Sequence, residues 1–384
     1  PWWFALNAST GKVQWKYYTG NTSRYYNWAS PLIVGGSAYI GLSSGCDHPL
    51  IQGELLMVNL TSHTLVHSFD VVANPGKGGS VWTSPTYDAT TNTVFLSTGN
   101  GQTATQKMVR SVIALNATTL ALQSYWQVPL NATQSDADFG TTPTLFEGAH
   151  GAPMVVATNK NGFAYALNRS NLAAGPVWSD AIAIGGPCPE CGNGSASSAA
   201  YNGTTLFLAG GETAIGGTNY SGSVRAIDPA TGAFLWEYGA PGIVLPALTY
   251  GDGLVVAGAG SSIVVLSAAT GKLLYSYATG AMMYGAASIW GNCIYEGSTN
   301  GKIYAIGIAG LGCSGSTVGH AVRGPALSAP SSGNGLAPGT PQARLAPNSD
   351  SREGRQSLRG PAARDFNRPT HRDGRSRLPL ETPP

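Results

Sequence analysis

The chain has 384 residues and carries 52 glycines, yet only 10% of it is charged. That glycine density suits a turn-dense β fold and argues against a helical one. The formal charge of +2 hides a split: up to Ser314 there are 11 Lys and Arg against 14 Asp and Glu, and beyond it 10 Arg against 5 acids. The larger part is therefore weakly acidic, which excludes a nucleic-acid-binding face. Nowhere does the sequence run to about 18 uninterrupted apolar residues, so no transmembrane helix is expected.

In chain order, one phrase recurs. It opens as Ala5-Leu-Asn-Ala-Ser-Thr-Gly-Lys-Val-Gln-Trp15 and loosens to Val58-Asn-Leu-Thr, Ala114-Leu-Asn-Ala-Thr and Ala166-Leu-Asn-Arg-Ser. It then returns as Ala226-Ile-Asp-Pro-Ala-Thr-Gly-Ala-Phe-Leu-Trp236 and Val265-Leu-Ser-Ala-Ala-Thr-Gly-Lys-Leu-Leu-Tyr275, and ends in a half-copy at Tyr304-Ala-Ile. With Asn7, Asn59, Asn116, Asn168, Asp228, Ser267 and Gly307 taken as equivalent, the steps are 52, 57, 52, 60, 39 and 40 residues. A period of this size marks a repeat whose single unit cannot bury its own apolar face.

Each copy reads as strand, tight turn, strand. The small Ala ends an inner strand, and Asn or Asp opens the turn by bonding to backbone two residues on. Gly supplies the positive φ, and a closing Trp, Tyr or Phe is a flat group suited to docking on the next unit. Between the phrases lie short β-branched and aromatic runs such as Ala38–Leu42, Thr93–Ser97, Leu206–Ala209, Leu254–Ala257 and Cys293–Tyr295. Gly, Asn, Asp and Ser separate them, as in hairpin-linked strands. Roughly four strands fit each repeat, which makes it one blade of an all-β propeller.

Six complete steps give six blades. The chain starts mid-blade at Pro1, so upstream sequence is expected, in a parent of seven or eight blades. The propeller is expected over 1–313 and a Pro, Gly, Ser and Arg-rich tail over 314–384. From residue 315 on, the tail has no Trp, Tyr, Ile, Cys or Lys, and such a segment cannot bury enough apolar area to offset its ordering entropy.

Of the five cysteines, Cys188-Pro-Glu-Cys191 reads first as a local disulfide and second as a zinc half-site; the His that haem attachment needs does not follow it. Cys293 and Cys313 are placed to staple the last blade to the chain beyond it, which leaves Cys46 with a partner expected upstream. His48, His63 and His67 form no metal-ligand spacing on a common element. Nine Asn-X-Ser/Thr sequons, at Asn7, Asn21, Asn59, Asn116, Asn131, Asn168, Asn193, Asn202 and Asn219, are mostly explained by turn chemistry. Low charge and paired cysteines point to a periplasmic or extracellular protein.

Three segments resemble the pyrroloquinoline-quinone (PQQ) propellers, the group of methanol, ethanol and polyvinyl-alcohol dehydrogenases, whose blades dock through the same Thr-Gly-X-X-X-Trp phrase. Gly78-Gly-Ser-Val-Trp82, running on to Thr98-Gly-Asn100-Gly, is similar to the stretch in which a Trp floors the quinone and an Asn binds calcium. Its 18-residue interval from Trp82 to Asn100 also fits. An indole face suits a flat tricycle, and an amide oxygen suits calcium. Asp136-Ala-Asp138-Phe-Gly140 resembles the segment that carries the catalytic base, which places that role, beside the metal, on Asp138. Without the resemblance, Asp136 and Asp138 read as loop caps. Lys160-Asn-Gly-Phe-Ala-Tyr-Ala-Leu-Asn-Arg169 looks like the segment whose first cation bonds the quinone oxygens.

Departures from the family pattern are plain. Its adjacent cysteine pair is absent and would fall upstream of Pro1. The acidic calcium ligand has only Asp47 as a candidate, and Gly194-Ser-Ala-Ser-Ser-Ala199 stands where an Asn-Trp is usual. The resemblance implies a PQQ- and calcium-dependent dehydrogenase of an alcohol or polyol. Without a CxxCH, electrons would leave through a separate acceptor such as a cytochrome. The rival expectation is a non-catalytic scaffold, built on the same repeat, that binds protein or polymer.

Overall fold

The computed structural model describes residues 2–20, 24–133, 136–307 and Cys313. Among these residues every regular element is a strand apart from four short 3-10 turns. The expected tail, 314–384, lies outside them.

The strands form a succession of antiparallel sheets in chain order. Trp2–Leu6 and Val13–Tyr18 pair as a first, two-stranded sheet. The second contains Leu32–Val34, Ser37–Ser44, Glu54–Asn59 and Leu65–Asp70, with Tyr25–Tyr26 pairing the far end of the long Ser37–Ser44 strand. Three more four-stranded sheets begin at Thr86–Asp88, Thr144–Glu147 and Ala200–Tyr201, and a fourth at Thr249–Gly251. The seventh sheet has three strands, Ser288–Trp290, Cys293–Gly297 and Ile303–Gly307. A small hairpin, Thr213–Ile215 with Thr218–Tyr220, stands out from the fifth. The six sequence steps thus yield four four-stranded sheets and one of five strands among the described residues, flanked by a two-stranded and a three-stranded one, because each step is counted from turn to turn and borrows its first strand from the sheet before.

Central strands are apolar on both faces because each sheet is sandwiched. Val94 and Leu96 pack toward Leu55 and Met57 of the second sheet, while Phe95 between them turns to Val155 and Tyr165 of the fourth. The same alternation joins the fourth sheet to the fifth through Phe146, Met154 and Leu206, and the fifth to the sixth through Phe207 and Val255. Burying one such side chain is worth about 1.5–3 kcal/mol, so the core is a series of layers between blades.

The recurring phrase does the work read from it. Asn7 Oδ1 accepts from the backbone N–H of Ser9 and Thr10, Asn59 from Thr61 and Ser62, and Asn116 from Thr118 and Thr119. A bulge recurs just after the small residue, at Ala5/Leu6, Ala114/Leu115, Ala166/Leu167 and Ala226/Ile227. The closing Trp docks forward: Trp178 Nε1 donates to Pro229 O at 3.1 Å, and Trp236 Nε1 to Ala268 O at 2.9 Å. The phrase glycine has a second reason to be glycine, since a Cβ on Gly271 would lie 2.5 Å from the Trp236 ring.

Cys188 and Cys191 form a disulfide rather than a zinc half-site, and Cys293 bonds Cys313. Cys46 is free and exposed.

Candidate functional site

The loops that lead into the first strand of successive sheets, with those that follow second strands, converge on one cavity of about 1010 Å³. Asp47, Trp82, Asp136, Asp138 and Lys160 line it. Asn100 joins from just behind: its amide nitrogen donates to Asp47 Oδ2 at 3.3 Å and to Asp136 Oδ1. Every site residue expected from the sequence is therefore in one neighbourhood, drawn from five different loops.

Backbone contacts explain why these loops hold still. Phe139 N donates to Thr98 O and Lys160 N to Asp138 O, at 3.3 and 3.1 Å. Asn159 Nδ2 bonds Ala137 O at 2.8 Å. The Asp138 segment is thus clamped between the strand end that carries Asn100 and the turn that carries Lys160. Beneath, buried hydroxyls stitch neighbouring sheets: Ser97 to Thr141 O at 2.5 Å, Thr158 to Ser195 at 3.3 Å, and Ser197 to Pro246 O at 2.6 Å. Such second-layer bonds fix the rotamers above them.

The charges form one cluster. Lys160 Nζ lies 2.8 Å from Asp136 Oδ2 and 3.0 Å from Asp138 Oδ1. The Asp138 side chain is only 8% exposed, against 34% for Asp136. Burial pushes the Asp138 carboxyl up to about 7, against the pull of the Lys160 ammonium and with Asp136 adding to the rise. Burial alone would lower Lys160, but the two carboxylates outweigh it and hold the amine above its ordinary value. One fixed cation thus faces two carboxyls, one of them poised near neutrality, where proton transfer is most useful.

Trp82 presents its ring to the same cluster, with Lys160 Nζ 5.2 Å from the ring centroid. Its indole nitrogen is buried and has no hydrogen-bond partner among the described residues. A Cβ on Gly140 would come within 2.8 Å of the ring edge, so the glycine keeps the indole seated. A flat acceptor-rich ring fits this group: a stacking face, an orphaned N–H and a cation beside it. Three carboxylates and an amide are hard oxygen donors of the kind calcium takes, so the donor chemistry fits that ion as well. As they stand, no three His, Cys, Asp or Glu side chains among the described residues are placed together to hold a metal ion, and Asn100 turns its amide nitrogen toward the carboxylates.

Asp136 was legible only as a loop cap, yet it bridges Asn100 and Lys160. The available signal was its pairing with Asp138 at a two-residue spacing; its backbone sits at a φ of 57° and its carboxylate meets Asn100 and Lys160. The disulfide loop was also missed as a wall: Pro187, Pro189 and Glu190 line the cavity.

A succession of four-stranded sheets around a polar cavity, stitched by Thr-Gly-Trp docking, defines a PQQ-like repeat propeller. The chain belongs to the PQQ_2 family, described as outer membrane protein assembly factor BamB, whose model matches residues 63–242 and 175–310. It is 26% identical to quinohemoprotein alcohol dehydrogenase ADH IIB of Pseudomonas putida, over 44% of this chain and 29% of that protein. Among solved structures it resembles quinohemoprotein alcohol dehydrogenase ADHIIG of P. putida HK5, with a TM-score of 0.61 at 18% identity, covering 77% of this chain and 60% of that one. A europium-containing methanol dehydrogenase matches with a TM-score of 0.60 at 17% identity, over 79% and 69% of the two chains. These structural likenesses establish the fold. The chain spans less than a third of the curated relative's length.

Proposed function

We propose that this propeller binds PQQ and calcium and oxidises an alcohol or polyol, passing electrons to a separate acceptor such as a cytochrome, in a periplasmic or extracellular setting. The observation that carries the reading is the convergence of Trp82, Asn100, Asp138 and Lys160, with Asp47 and Asp136, on one cavity. Trp82 would floor the quinone, and Lys160 would hold its oxygens. Asn100, Asp138 and Asp47 would hold the metal. Bound there, the pair supplies a two-electron acceptor with a polarised carbonyl.

The chain's own residues do the rest. Asp138, a carboxylate held ionised beside a divalent cation and fixed within reach by its clamped loop, accepts the hydroxyl proton of the alcohol. Lys160 keeps a positive charge beside that carboxyl, and Asp136 anchors the ammonium from the solvent side. The clamped loop holds the carboxyl in place without reorganisation.

The test is dye reduction by the full chain reconstituted with PQQ and calcium. Asp138→Asn is expected to lower the rate by about 10²–10⁴-fold while quinone binding persists. Turnover unchanged in that variant contradicts the assignment.

A second reading, a non-catalytic scaffold for protein or polymer, is favoured by the family description and by Gly194–Ala199, which puts only small side chains on one cavity wall. Failure of the reconstituted chain both to bind PQQ and to turn over would leave that reading standing.

A further inference from the structure

The cavity has two storeys. Its floor is the charged cluster with Trp82. Above it, Trp28 and Tyr284 also line the cavity, yet they are 55% and 59% exposed, so they stand where it meets solvent. The floor chemistry does not use them.

Trp28 is held as a fixed plate. Its indole Nε1 donates to Ser44 O at 3.2 Å, and its ring stacks on Tyr26 with centroids 5.6 Å apart and planes 14° from parallel. Ser44 is itself buried and tied to Ser80. Anchored by both its edge and its face, Trp28 is a preorganised plate on the cavity lining, so a ligand that covers it orders nothing further.

Polar groups stand among the rings. Ser30, His48 and Glu190 line the same space, offering a hydroxyl, an imidazole and a carboxylate. A rigid aromatic face beside scattered donors and acceptors matches a ligand whose one side is C–H and whose rim is hydroxyl: a sugar ring. A purely aromatic alcohol would leave the polar groups unpaired, and a one- or two-carbon alcohol would not reach both storeys. The volume, at the top of the roughly 300–1,000 Å³ range for small-molecule sites, accommodates a ring substrate above a flat cofactor.

From these observations we infer that the substrate is a carbohydrate, recognised by stacking on Trp28 and Tyr284, with the hydroxyl to be oxidised pointing down toward Asp138. The fate of the sugar as substrate rests on the dehydrogenase reading. Its binding does not.

The test is titration of the full chain, without added cofactor, with cellobiose, followed by calorimetry and tryptophan fluorescence. Benzyl alcohol and ethanol serve as comparators. Saturable cellobiose binding is expected, weakened about tenfold by Trp28→Ala and several-fold by Tyr284→Ala. Trp290→Ala, on the last sheet away from the cavity lining, leaves it unchanged. No saturable cellobiose binding, tighter binding of benzyl alcohol, or indifference to Trp28→Ala overturns the inference. A separate PQQ titration scores the dehydrogenase reading. Sugar binding without PQQ binding removes the reaction and keeps the sugar site; PQQ binding without sugar binding does the reverse.

Discussion

The two sides of the cavity are built from opposite materials. The side formed by the second to fourth sheets carries Asp47, Trp82, Asn100, Asp136, Asp138 and Lys160. The facing side, from the fifth to the seventh, offers Pro187, Ala196, Ser198, Leu245, Ala247 and Ala286. Both rest on the same repeat, the same docking Trp and the same hydroxyl stitching. The difference teaches that the blades supply position, while loop sequence decides which positions become chemical. One side holds charge at a desolvation cost and the other leaves room.

The sharpest way to break this contrast is to remove the cation on the charged side. Lys160→Met leaves Asp136 and Asp138 facing each other partly buried, and about 3–5 kcal/mol of stability should be lost in urea unfolding. Adding Asp138→Asn should restore much of that loss, since the two sites are coupled. A Lys160→Met chain as stable as wild type would show that the cluster is not under electrostatic load.

Besides Glu190 at the cavity wall, the plainer side carries a buried carboxylate of its own. Glu296 is 2% exposed, and neither carboxyl oxygen has a hydrogen-bond partner among the described residues. Burial raises it from 4.5 to about 7. Because the folded form holds the proton more tightly than the unfolded chain, this group favours the fold at acid pH. That advantage is lost between about pH 4.5 and 7, by up to about 3 kcal/mol, and stability is flat above. Glu296→Gln should flatten this part of the profile in unfolding measured from pH 4 to 8. A wild-type profile that rises over this window in step with the variant contradicts the assignment.

Smaller effects separate docking from turn chemistry. Gly271 and Gly11 occupy the same place in the phrase, both at φ of 68°. A Cβ at Gly271 would strike Trp236, whereas one at Gly11 meets nothing within 4 Å. Gly271→Ala should therefore cost about 2–3 kcal/mol and Gly11→Ala about 1 kcal/mol in thermal unfolding. Equal losses would show that φ alone explains the glycine.

Much of this was legible in the sequence because repeats announce themselves. The Asn7, Asn59 and Asn116 turns and the forward docking of Trp236 follow from phrases a few residues long, whereas the grouping of Trp82, Asn100, Asp138 and Lys160 was implied only by the resemblance to the PQQ propellers. The Cys188–Cys191 and Cys293–Cys313 bonds were also readable, by spacing and elimination. Asp136 was not, because which of two carboxylates bridges to a residue 24 positions away depends on φ at a loop position. Trp28 escaped for a similar reason. An aromatic in a loop announces bulk, but its anchoring to Ser44 and Tyr26 appears only once the second sheet is assembled.

The central claim is that the charged side of the cavity is a quinone seat. Titrating the full chain with PQQ in the presence of calcium, while following tryptophan fluorescence, addresses it most directly. The account predicts saturable one-to-one binding that Trp82→Ala and Lys160→Met each weaken by tenfold or more, on the order of one lost aromatic or charged contact. Absence of saturation in the wild-type chain, or binding that neither substitution disturbs, would contradict it.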